Sequence, residues 1–142
     1  MQFRALIEKT AAELGAEVEF DADDAELAHL SVSVSDSDDG DGDREQTVSV
    51  YTDGEVVVAF HDAGPYSEDL ASALPDVLRG LGPALFTRVY IAEDEDEGEE
   101  SLAVEAGALL EGLPVASFAA MVQEVADVAD ALVNELFAES EE

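Results

Sequence analysis

Apolar positions along the chain fall into two rhythms, one of three and four residues and one of two, and the switches between them divide the sequence into elements. In MQFRALIEKTAAELG, Phe3, Leu6, Ile7, Thr10, Ala11 and Leu14 recur at three and four, and Gly15 follows as a stop, so an amphipathic helix is predicted there. After the turn-rich, acidic FDADDAE the rhythm changes. LAHLSVSVS alternates Ala28, Leu30, Val32 and Val34 with His29, Ser31, Ser33 and Ser35, the pattern of a half-buried strand. EQTVSVYTDGEVVVAF predicts two more strands around a reversal at Asp53-Gly54. Val48, Val50 and Thr52 share one face before that reversal, and Val56, Val58 and Phe60 share one after it. On this assignment Tyr51, Val57 and Ala59 fall on the opposite face.

AGPYSEDLASALPDVLRGLGPAL carries Leu70, Leu74, Val77, Leu78 and Leu81 at helical spacing, with Ser67 as cap and Glu68 and Asp69 in the first turn. Pro75 would cost about 3 kcal/mol inside a helix, so a short helix centred on 75 to 81 is predicted, preceded by a helical or irregular turn. FTRVYIAED and SLAVEAGALLE read as a second hairpin joined by the highly charged DEDEGEE. The closing segment LPVASFAAMVQEVADVADALVNELF places Phe118, Met121, Val122, Val125, Val128 and Leu132 on one stripe, and Gln123, Glu124, Asp127 and Asp130 on the counterface. Helix, three strands, short helix, two strands, long helix is an α+β order, and it predicts two layers with a largely antiparallel sheet in a single domain over residues 1–142.

Charge changes the weight of every acidic residue in that scheme. Of the 142 residues, 36 are Asp or Glu and 5 are Lys or Arg, for a formal net charge of -31. Such repulsion acts over about 10 Å in roughly 0.1 M salt and over about 3 Å in molar salt, so the composition suits concentrated salt. It is similar to that of proteins from extreme halophiles, acidic, poor in lysine and rich in Ala and Val. The five basic residues, Arg4, Lys9, Arg44, Arg79 and Arg88, form no patch that could neutralise several phosphates, and no nucleic-acid partner is expected. No apolar run approaches the 18 or so residues of a membrane span, and the N-terminal segment has no separate hydrophobic stretch with a cleavage site, so neither a membrane nor export is expected and the protein is read as cytoplasmic. With no cysteine, thiolate chemistry and Cys-based metal sites are excluded.

Candidate chemistry is sparse. SDSDDGDGDREQ has the look of a calcium loop, which wants acidic ligands at positions 1, 3 and 5, glycine at 6 and glutamate at 12. With Gly42 sixth, Ser37 stands first and Val48 twelfth; with Gly40 sixth, Ser35 and Ser37 take positions 1 and 3 and Gln46 is twelfth. Both registers lose ligands and the flanks read as strands, so the stretch is assigned as a solvated connection. DEDEGEE puts all its carboxylates in the same water and cannot split their pKa values for acid-base work. His29 and His61 would form a metal or proton-transfer pair only if their strands brought the rings together. Ser67 and Ser117 lack the surroundings of a nucleophile.

The stretches REQTVSVYTDGEVVVAF with Gly64-Pro65, and SLAVEAGALLEGLPVASFAAMVQEVADVADALVNEL, resemble the YbjN-like sensory transduction regulator family, which shares the fold of type III secretion chaperones. Glu105, Ala106, Leu109, Glu111, Gly112 and Leu113 stand in the family's E-A-x-L-x-x-E-G-L pattern, while Pro114 replaces the usual Ser or Thr cap. The resemblance implies a small α/β sandwich that commonly dimerises and binds a partner polypeptide or serves regulation; it supplies no catalytic residue. The resulting expectation is a non-enzymatic protein-binding or regulatory module with no cofactor and no metal. It is read as a homodimer whose interface includes Tyr51, Val57 and Ala59. The alternative is a small-molecule-binding protein or an enzyme whose site leaves no mark in the sequence.

Overall fold

A computed structural model describes residues 2–23, 26–34, 44–81, 86–93, 98–133 and 136, with backbone only at 44, 80 and 81. The elements are α1 (Phe3–Leu14), β1 (Glu17–Phe20), β2 (Leu27–Val34), β3 (Arg44–Thr52), β4 (Val56–Pro65), α2 (Glu68–Ala71), α3 (Leu74–Leu81), β5 (Arg88–Glu93), β6 (Glu100–Leu109) and α4 (Val115–Leu132). The strands form one antiparallel sheet in the order β1-β2-β3-β4-β6-β5. The fold is thus α+β, with α1 and α4 packed on each other and on one face of the sheet. No described helix is long and apolar enough to cross a membrane.

The first helix ends as its sequence predicts, with Gly15 in the left-handed region at φ 66°, its amide turned back to the Ala11 and Ala12 carbonyls. Gly15 and Ala16 then lead directly into β1, a strand absent from the sequence expectation because EVEF alternates over only four residues. Its Val18 and Phe20 are half-buried on the helix side, while Glu17 and Glu19 are exposed. The helical segment around Pro75 divides as expected, into a single turn and α3, with Pro75 in the first turn of α3 where its missing amide proton does no harm.

The β3–β4 hairpin corrects the face assignment. Its register pairs Ser49 with Phe60, Val50 with Ala59, Tyr51 with Val58 and Thr52 with Val57. A reversal with two residues at its tip, here Gly54 and Glu55, joins odd-numbered positions to even-numbered ones, so the face of Val48 and Val50 continues into Val57 and Ala59. Val57 and Ala59 are completely buried beneath the helices, and of the three residues expected on the open face Tyr51 alone lies there, with Val58 and Phe60 beside it. The turn itself is well built. Gly54 adopts φ 102°, the Asp53 carboxylate accepts from the Glu55 and Val56 amides at 2.9 Å each, and these bonds hold its pKa below the ordinary value. The Thr52 hydroxyl donates to the Val56 carbonyl and accepts from the Gly54 amide.

The core lies between the sheet and the two long helices, around Leu6, Ile7, Leu30, Val50, Leu102 and Phe118. The counterface of α4 is narrower than its sequence predicts. Asp130, expected in water, is 4% exposed and accepts from the Gln46 side chain of β3 at 2.9 Å. Gln123 donates to the Ser33 carbonyl of β2. Both polar positions of the helix lie within reach of strand ends, and each forms a hydrogen bond across the layer.

Candidate binding face and sheet edge

The open face of the sheet can be read row by row from the strand registers. One row crosses all six strands as Glu19, His29, Ser49, Phe60, Glu105 and Arg88. The next runs through Leu27, Tyr51, Val58 and Gly107, and on the other side Tyr90 pairs with Ala103. Two unlike halves result. Glu17, Glu19, His29, Ser31, Thr47 and Ser49 make the β1–β3 half polar, whereas aromatic and aliphatic groups occupy the half toward β5.

In that second half Tyr51 and Phe60 meet edge to face with centroids 5.6 Å apart, a favoured aromatic geometry. Glu105, its side chain 15% exposed, accepts from the Arg88 guanidinium at 2.8 and 3.3 Å. Arg88 also sits over the Tyr90 ring at 5.0 Å, a cation–π contact. Burial, with a hydrogen bond to Glu105, pushes the Tyr90 phenol above its ordinary pKa. Alternation in the sequence had placed Tyr51 on this face, but it did not mark the Arg88–Glu105 pair. The available signal was a rare cation placed in a strand at the same alternation as Tyr90.

The two histidines are not brought together. Nδ1 of His29 lies 2.9 Å from the Ser49 hydroxyl on the open face, and Nδ1 of His61 lies 2.8 Å from the Thr47 carbonyl, with the alternation of β4 turning it toward the helix side. Among the described residues no group of three or more His, Asp or Glu is arranged to hold a metal ion. The calcium-loop stretch at 35–43 and Asp94 to Glu97 of the second acidic run lie outside the described residues. Surface cavities flank the sheet: one of about 490 Å³ is lined by Asp62, Gly64, Pro65, Glu99, Glu100 and Ser101, and one of about 410 Å³ by Gly54, Glu55, Leu109 and Glu111.

The β5 edge is the other unusual region. No described strand pairs with its outer side. Four of the six large apolar side chains exposed among the described residues, Leu78, Phe86, Tyr90 and Ile91, come from α3 through β5. The start of this edge is tied to α4 by Glu124, whose Oε1 accepts from the Phe86 and Thr87 amides at 2.8 Å each. Charge-assisted bonds of this kind are about twice as strong as neutral ones, and they fix where β5 begins.

No protein-family model matches the chain, and no curated protein matches it in sequence.

Proposed function

We propose that the chain is a non-enzymatic protein-binding or regulatory module that works as a homodimer, its two copies joined edge to edge through β5. The observation that carries this reading is the concentration of exposed apolar groups on the segment that also presents the unpaired edge of the sheet. Exposed strand edges are templates for pairing, and a second copy is the occupant that this edge fits. A two-fold pairing of antiparallel edges requires one residue to meet its own copy. Centred on Tyr90, it sets Val89 of each copy against Ile91 of the other on the helix side, where Ile91 is otherwise 43% exposed. The same register sets Arg88 of each copy opposite Ala92 of the other and Thr87 opposite Glu93, so no like charges meet directly across the seam.

Both this order of elements and the dimer agree with the resemblance to YbjN-like proteins and type III secretion chaperones, and a chaperone-like topology is part of the proposal. The role itself does not follow from a fold. Sedimentation equilibrium at about 3 M KCl, where charge is screened over about 2–3 Å, tests the assembly. The wild type should be a dimer at tens of micromolar, and Tyr90→Glu with Ile91→Glu should be monomeric with its circular dichroism unchanged. A monomeric wild type overturns the reading, and a dimer that ignores both substitutions places the seam elsewhere.

A further inference from the structure

We draw no further inference here: the strongest candidate, the surface cavity of about 360 Å³ lined by Glu17, Val18, Glu19, His29, Ser31 and Thr47 on the β1–β3 half of the open face, carries nothing, because its polar groups are those of a water-facing sheet and nothing in the structure points to a ligand.

Discussion

At one edge of the sheet β1 offers four residues, Glu17–Phe20, with both outward positions occupied by exposed glutamates. At the other, β5 offers six, Arg88–Glu93, with Tyr90 and Ile91 exposed on opposite faces. The first follows the usual protection of an edge, shortness together with charge, and α1 backs it, with Arg4 set 4.0 Å over the Phe20 ring. The second has neither length limit nor carboxylate at its centre. In a chain with 36 acidic residues, a strand whose one carboxylate is its last residue tells more than a stretch crowded with them. On the reading proposed above that contrast places association at β5, and four experiments break or sharpen it.

The largest effect should come from salt. On the proposed reading the repulsion of a -31 chain works against both edges unless it is screened, and the screening length grows from about 3 Å in molar salt to about 10 Å at 0.1 M. Circular dichroism and thermal melting across a KCl series should show loss of the sheet toward low salt, the dimer dissociating first. Equal stability at both extremes would remove the link between charge and folding.

Next comes the guarded edge. Replacing Glu17 with Val and Glu19 with Thr removes both carboxylates from β1 and raises its strand propensity. Assemblies larger than the dimer, growing with concentration, are then expected in light scattering at high salt. A double variant that stays at the size of the wild type would mean that length and the α1 backing close this edge, not charge.

Glu124 should matter to β5 and little to β1. Glu124→Ala leaves the Phe86 and Thr87 amides without their carboxylate, a loss of about 1–3 kcal/mol in denaturant melts. Hydrogen exchange should quicken at β5 and the neighbouring part of β6 while β1 and β2 keep their protection. Uniform loosening over the whole sheet would show that Glu124 supports the core in general and does not set the edge.

Much of this architecture was legible in the sequence because its cause is local. Three- and four-residue spacing marked α1 and α4, alternation marked β2, β3 and β6, and Pro75 marked the break before α3. β1 was missed because four residues hold too little alternation to outweigh an acidic composition. The face of β4 was inverted for a different reason. VVVAF is apolar at every position, so its own pattern names no face, and only the register across Gly54 and Glu55 decides that Val57 and Ala59 are core. The Arg88–Glu105 pair and the Glu124 anchor join residues 17 and about 38 positions apart. No periodicity along one segment reports such a contact.

The smallest effect concerns two hydroxyls, one toward each edge. Thr10 on α1 is completely buried, and Thr87 at the entry to β5 is partly so; neither side-chain oxygen has a hydrogen-bond partner among the described residues. A buried hydroxyl without a partner costs about 1–3 kcal/mol, and valine replaces threonine with nearly the same shape and the same β-branching, leaving helix propensity little changed. Thr10→Val should therefore raise the stability by about 1 kcal/mol at equal salt, read from denaturant midpoints. Thr87→Val should gain less, because the Thr87 hydroxyl, though buried, belongs to a residue that is partly exposed at the entry of an edge strand, where slight opening lets water reach it. If the order is reversed, the entry to β5 is drier than the core under α1, and the exposed edge is then held more firmly than its single carboxylate anchor explains.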